Sequence, residues 1–152
     1  TIEVSDLVQI NSITILVAGN GDYWYSLNNG SYQQSDFFDT VVPGQHLVSI
    51  KDMNGCGIIN QTVFVLGIPN YFTPNGDGFH DYWQIKGLDI NTNSTSKIYI
   101  FNRFGKLLKQ ISAVGEGWDG NYNGHQMPAD DYWYSIQFDD GRNVKGHFAL
   151  KR

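Results

Sequence analysis

The chain has 152 residues, of which 41% are hydrophobic and 16% charged, a composition typical of folded domains rather than disordered chain. Its formal net charge is −5, and residues 1–67 contain one base, Lys51, against six acids, which argues against nucleic-acid binding there. No apolar run approaches the roughly 20 residues of a membrane-spanning helix, so we expect no membrane-spanning segment.

Residues 1–67 are predicted to form short β-strands. Apolar and polar residues alternate within residues 13–17, 23–27 and 47–51, and this period-two pattern is typical of strands with one buried face. Asn-Gly and Pro-Gly pairs between these runs indicate tight turns. The single cysteine, Cys56, excludes an internal disulfide, and we interpret it as a small buried residue at a turn. Six or seven strands at this spacing predict an antiparallel, immunoglobulin-like sandwich.

A loop signature opens the second part of the chain at residues 71–81, Tyr-Phe-Thr-Pro-Asn-Gly-Asp-Gly-Phe-His-Asp. Glycine accepts positive φ without steric cost, and Asn and Asp side chains can bond to nearby backbone amides. We therefore predict a tightly wound structural loop built from Pro74, Asn75, Gly76, Asp77, Gly78 and Asp81. Residues 68–152 carry nine bases and nine acids, and this change of charge leads us to divide the chain into an acidic domain, 1–67, and a second domain, 68–152.

Two interpretations of this loop are open. Asn75, Asp77 and Asp81 occupy positions 1, 3 and 7 of a run that is similar to a calcium loop, but position 12 is Lys86, where an EF-hand has a bidentate Glu. The alternative is a loop whose carboxylates bond to its own amides. We therefore expect either no cofactor or a Ca²⁺ ion held by Asn75, Asp77 and Asp81.

The rest of the chain is also predicted to be β-structure. Alternating or apolar runs predict strands at residues 82–85, 97–102, 107–111, 132–138 and 144–150. Sustained helical periodicity is absent from the sequence. The chain is therefore predicted to be all-β, with two small antiparallel immunoglobulin-like β-sandwich domains in tandem. The short hinge around residues 67–69 and the charge difference predict halves that fold independently, in a chain that is monomeric.

The last predicted strand has two different faces. Strand parity places Phe148 and Leu150 toward the core, together with Gly146, which leaves room for a bulky neighbour. The residues of opposite parity are predicted to face solvent or a partner: Lys145, His147 and Lys151. The bases of this strand either protect a sheet edge against aggregation or form a recognition surface.

Five sequence blocks in the second domain resemble the gliding-motility-associated C-terminal domain. They are Phe-Thr-Pro-Asn-Gly-Asp-Gly at 72–78, Ile-Phe-Asn-Arg-Phe-Gly at 100–105, Gly-Trp-Asp-Gly at 117–120, Pro-Ala-Asp-Asp-Tyr-Trp-Tyr at 128–134 and Lys-Gly-His-Phe-Ala-Leu-Lys-Arg at 145–152. Five blocks in the same order form a specific signal. This family is the type B C-terminal sorting domain of the type IX secretion system of Bacteroidota; His80 stands where the family has Asn.

The resemblance implies a secretion signal. Such domains direct a folded surface or secreted protein through the outer-membrane translocon after export to the periplasm. The implied partners are translocon and shuttle components and a PorP/SprF-like outer-membrane protein. Under this resemblance, the residues expected to take part in translocon recognition are Lys145, Gly146, His147, Phe148, Leu150, Lys151 and Arg152. Residues 1–67 resemble the adhesin-like repeat module that often precedes this signal, with the role of a spacer.

The sequence offers little support for other functions. The four histidines lie in separate segments, no nucleophile or phosphate-loop motif is present, and we expect no enzymatic activity. The rival function is a carbohydrate- or calcium-binding adhesin module, in which the Tyr-Trp-Tyr triplets at 23–25 and 132–134 would stack on sugar. Alternate aromatic residues on a strand are more often core residues. Two or more coplanar, exposed rings on one face would favour sugar binding.

Overall fold

The computed structural model describes residues 1–55 and 57–152, so the interpretation of Cys56 lies outside the described residues. All regular elements in the described residues are β-strands, which confirms the all-β prediction. None of these residues belongs to a helix of the length and apolarity needed to cross a membrane. The chain separates into two compact units, Thr1–Gly67 and Ile68–Arg152.

The first unit is built from two three-stranded antiparallel sheets. Its strands are β1 (Ile2–Ser5), β2 (Ser12–Ile15), β3 (Tyr23–Leu27), β4 (Phe37–Phe38), β5 (Gly44–Asp52) and β6 (Ile58–Val65). The sheet orders are β1-β2-β4 and β3-β5-β6. Both sheets contribute alternate apolar residues to one core, which includes Ile13, Ile15, Val48, Val63 and Val65. Short amphipathic strands are stable in this arrangement because each sheet buries its apolar face against the other.

The second unit contains a five-stranded sheet and a short hairpin. Its strands are β7 (Tyr71–Phe72), β8 (Lys97–Phe101), β9 (Leu107–Ser112), β10 (Asn121–Tyr122), β11 (His125–Gln126), β12 (Asp130–Gln137) and β13 (Asn143–Leu150). The sheet order is β7-β13-β12-β8-β9, and β10 pairs with β11. All pairs are antiparallel except β7 with β13, which is parallel. The predicted antiparallel arrangement is therefore confirmed for every strand pair of this unit except β7 with β13.

Two buried tryptophans cover the inner face of the five-stranded sheet. Trp83 and Trp118 form an isolated bridge in which each backbone amide donates to the other residue's carbonyl at 2.9 Å. Their indole N–H groups donate to the carbonyls of Pro69 and Asn121, at 2.8 and 2.9 Å, so both rings are buried without an unpaired donor. The prediction of a regular strand over residues 82–85 is wrong, because only this single bridge forms there.

The position of β13 corrects a second expectation. In the alternative in which its bases protect a sheet edge, β13 would be an edge strand, but it lies between β12 and β7 in the sheet. However, β7 pairs only with Ala149 and Leu150, whereas β12 pairs with the whole of residues 143–150. The last two residues of β13 are therefore covered on both sides, and the edge-strand description holds only for the part of β13 that precedes them.

Candidate functional site

The opening loop is organised around the carboxylate of Asp81. It accepts hydrogen bonds from the backbone amides of Asn75, Gly76 and Gly78, at 3.0, 2.7 and 2.8 Å. The bonds from Gly76 and then Gly78 hold the pKa of Asp81 below its ordinary value, because they favour the charged form. Gly76 and Gly78 have φ of +79° and +87°, a conformation that their missing side chains permit.

Asp77 completes this network from the other side of the loop. Its carboxylate accepts the Phe79 amide and the Asn75 side-chain amide, both at 2.8 Å, and its own amide donates to Asn75 Oδ1 at 3.0 Å. This is the bonding expected of the self-bonded alternative. Ca²⁺ at Asn75, Asp77 and Asp81 stays a prediction, and an ion coordinated there would compete with these hydrogen bonds for the same oxygen atoms.

The inner face of β13 is anchored in the core, as strand parity predicts. Phe148 and Leu150 are 0% and 2% exposed. The Phe148 ring stacks on Trp83, with a centroid distance of 4.1 Å and an interplanar angle of 15°. A Cβ at Gly146 would overlap the Tyr134 ring, which lies on the neighbouring strand directly opposite. Gly146 therefore makes room for Tyr134, the bulky neighbour that the sequence required.

The other face of this sheet, which we call the outer face, carries the exposed bases. Lys145, His147 and Lys151 are exposed, as predicted. The ammonium of Lys151 lies 4.4 Å from the centroid of the Tyr71 ring, a cation–π geometry. Lys97 is exposed at the end of β8, on the same face by strand parity. Asp131 is the exposed acid of that parity on β12, so bases predominate on the outer face.

An aromatic groove lies beside these bases. It has a volume of about 430 Å³ and is lined by Phe101, Trp133, Tyr134, Ser135, Lys145, Gly146 and His147. Trp133 is 41% exposed, and its ring lies 6.2 Å from the His147 ring. Sequence reasoning missed Phe101 as a member of this surface. Parity indicates its side of β8, but only the strand register places it opposite Trp133.

The arginines near the end of the chain bond to other groups of the second unit. Arg152 donates from Nε to the Met127 carbonyl at 3.0 Å, and from its two other nitrogens to the carbonyls of Pro74 and Gly120 at 3.5 Å. Arg142 pairs with Asp140 at 2.7 Å. The guanidinium of Arg152 thus ties three segments of the second unit together, and its expected recognition role stays a prediction.

The Tyr-Trp-Tyr triplets do not form flat aromatic platforms. Tyr132 is 2% exposed, and Tyr134 packs toward the core, 5.2 Å from Trp83, while Trp133 points to the outer face. In the first unit, Tyr25 belongs to the hydrophobic core. Alternation along each strand separates neighbouring rings onto opposite faces, so the triplets lack the coplanar exposed rings that would favour sugar binding.

The fold and surface define a small all-β domain with a self-bonded loop and a basic sheet face. The family model of the CHU_C type IX secretion signal domain matches residues 66–150, more than half of the chain, and the chain belongs to this family. Membership implies export to the cell surface or secretion, and interaction with the secretion system. This is not an enzymatic family. No curated protein matches the chain.

Among solved structures, the chain is similar to the BSP domain of a biofilm-associated protein, with 10% identity and a TM-score of 0.35, over 99% of this chain and 29% of that one. It is also similar to Tp47, the 47-kilodalton lipoprotein of Treponema pallidum, with 11% identity and a TM-score of 0.31, over 98% of this chain and 50% of that one. The chain therefore spans half or less of each of these structures. Similarity at this level carries no argument about function.

Proposed function

We propose that residues 68–152 direct the protein that carries them from the periplasm across the outer membrane through the type IX translocon. In this proposal the partners are translocon and shuttle components and a PorP/SprF-like outer-membrane protein. Residues 1–67 serve as an adhesin-like spacer module. The family supplies the secretion role, and the two faces of β13 suggest how the signal is presented.

The observation that carries the proposal is that β13 has one face buried in the core and an opposite face with exposed bases. Phe148 and Leu150 hold the strand in the core, which leaves Lys145, His147 and Lys151 exposed on the outer face. Positive charge on a fixed strand favours a partner surface with negative charge, because complementary potentials speed encounter and reject wrong partners. Among the described residues, Lys145 forms no ion pair, so its charge is available to a partner.

The proposal is tested by fusing residues 68–152 to an inert periplasmic reporter, in a cell with the type IX system and its matching partner protein. Reporter outside the cell is measured for the intact fusion and for Lys145→Glu with Lys151→Glu. The matched control is Lys106→Glu with Lys109→Glu, which makes the same charge change at two other exposed lysines of the unit. We expect export of the intact and control fusions and reduced export of the first double variant.

Two results would contradict parts of this proposal. An intact fusion that remains in the periplasm would show that residues 68–152 are not sufficient for export. Normal export of Lys145→Glu with Lys151→Glu would show that the secretion partner does not recognise the outer-face lysines. The opening loop, residues 71–81, would then be the next candidate for the signal. Circular dichroism of each purified variant separates loss of recognition from loss of folding.

A further inference from the structure

One side of β13 has unused backbone hydrogen-bonding capacity. The amides of Ala149 and Lys151 donate to the carbonyls of Asn70 and Phe72, at 2.9 and 3.0 Å, so both point toward β7. Backbone groups on a strand point alternately to its two sides. The amides and carbonyls of Lys145 and His147 therefore point to the same side as those of Ala149. In the described part of the chain, no strand pairs with residues 143–148 on that side.

The pairing of β7 with β13 does not extend to residues before Ala149. The carbonyls of Asn70 and Phe72 face β13, so a longer parallel ladder would require the Asn70 amide and the Ile68 carbonyl to bond to His147. Neither bond forms among the described residues, and the Pro69 carbonyl, which has the opposite parity, accepts the Trp83 indole N–H at 2.8 Å. Pairing by β7 is therefore limited to Ala149 and Leu150, and residues 143–147 form an open edge of five residues. At about 3.3 Å per residue, this edge is roughly 16 Å long, enough for a short added strand.

The side chains around the open edge define what a strand placed there must carry. On the outer face its neighbours are Lys145 and His147, and on the inner face they are Val144 and Gly146. A matching strand therefore alternates carboxylates with small or β-branched apolar residues. A second copy of this chain fits poorly, because edge-to-edge pairing of two β13 strands would place lysines of like charge beside each other.

We propose that the open edge of β13, residues 143–147, is a docking site for an extended acidic segment of the secretion partner, which adds to the sheet as a sixth strand. The inference rests on the proposed function, and it names the chemistry of the partner and its mode of binding. Backbone hydrogen bonds to Lys145 and His147 supply affinity. The side chains of Lys145 and His147 select for carboxylates on the outer face of the added strand.

The first test uses the whole chain of 152 residues, labelled with ¹⁵N, and a synthetic probe, acetyl-Glu-Val-Glu-Val-Glu-Val-Glu-amide. In the free protein we expect the amides of Lys145 and His147 to exchange rapidly, whereas those of Gly146 and Phe148, which face β12, are protected. The probe should slow exchange at Lys145 and His147 by about tenfold or more, equivalent to about 1.4 kcal/mol. A matched peptide with Lys in place of Glu should have no effect.

Several outcomes would overturn the inference. If the acidic and basic peptides slowed amide exchange at Lys145 and His147 equally, the edge would not select acidic strands. Protection that grows with protein concentration alone would show that a second copy occupies the edge. Rapid exchange at Lys145 and His147 at saturating acidic probe would show that no strand adds there. Slow exchange of these two amides in the free protein would show that the edge is already covered.

The second test separates this inference from the proposed function. In the reporter fusion, His147→Pro removes the outward amide, and His147→Gln keeps it while removing the ring. We expect the proline variant to be exported about tenfold less than the glutamine variant, because both lack the ring and only the proline variant also lacks the amide. Equal export of both, with export of the intact fusion preserved, would overturn the edge proposal alone. Failure of the intact fusion would overturn the proposed function. If His147→Pro does not fold, the amide-exchange experiment on the unaltered chain tests the edge proposal instead.

Discussion

The core face of β13 offers a quantitative test through Phe148→Ala. Phe148 is 0% exposed and is surrounded by the rings of Phe72, Trp83, Trp118, Tyr132 and Tyr134 at centroid distances from 4.1 to 6.4 Å. Transfer of a fully buried side chain of this type contributes about 1.5–3 kcal/mol. Loss of the stacked pair with Trp83 adds roughly 0.5–1.5 kcal/mol.

The cavity left by the ring adds a further cost because its neighbours cannot collapse into it. The indole of Trp83 is held by its hydrogen bond to the Pro69 carbonyl at 2.8 Å, and that of Trp118 by its bond to Asn121 at 2.9 Å. We therefore expect Phe148→Ala to reduce the free energy of unfolding by about 3–5 kcal/mol. Because small domains have total stabilities of about 5–15 kcal/mol, this change is a large part of the whole.

The assay is urea unfolding of the whole chain followed by tryptophan fluorescence, which mainly reports the second unit because three of the four tryptophans lie there. With an m-value of about 1–3 kcal/mol/M, a loss of about 4 kcal/mol lowers the unfolding midpoint by roughly 1.3–4 M. The matched control is Phe104→Ala, at a phenylalanine of the same unit that is 81% exposed, with an expected change within about 0.5 kcal/mol. Equal midpoints for the two variants would refute the assignment of Phe148 to the core.

Three other substitutions and one measurement test the remaining structure. Gly146→Ala should cost about 1–3 kcal/mol in urea unfolding and much less in a Tyr134→Leu background, because the added methyl group meets the Tyr134 ring; equal costs in both backgrounds would contradict this. The pKa of Asp81 is lowered in the folded state, so its stabilising effect is complete above the ordinary value of 3.8 and is lost as the pH falls through the folded pKa. Asp81→Asn should therefore flatten the dependence of the melting temperature on pH below that value. If the variant and the unaltered chain had the same dependence at acidic pH, this stabilising role of Asp81 would be contradicted. Asp77→Ala should lower the melting temperature; chelation should lower that of the unaltered chain only if Ca²⁺ is bound, and an unchanged melting temperature in the variant would contradict both versions of the loop. Light scattering after size-exclusion chromatography should give the mass of one chain, 17.2 kDa, and a mass of two chains would contradict the monomer prediction.

The local features of this protein follow from short stretches of sequence. The run of Asn-Gly and Asp-Gly pairs leads to a loop in which Gly76 and Gly78 take positive φ and Asp81 accepts their amides. Alternation in the last strand correctly predicts that Phe148 and Leu150 are buried. These features depend on steric preferences and on the two-residue period of a strand, both of which are encoded within a few neighbouring residues.

The pairing of distant segments depends on the tertiary structure. Parity indicates the face on which Trp133 and Phe101 lie, but only the register between β12 and β8 brings them together beside Lys145 and His147. The parallel addition of Tyr71 and Phe72 to β13, which leaves residues 143–147 with an open edge, has no signal in the loop sequence that contains them. A strand's own pattern determines which side is apolar, whereas its neighbours are chosen by how the buried faces of the whole unit pack, with Trp83 and Trp118 at the centre.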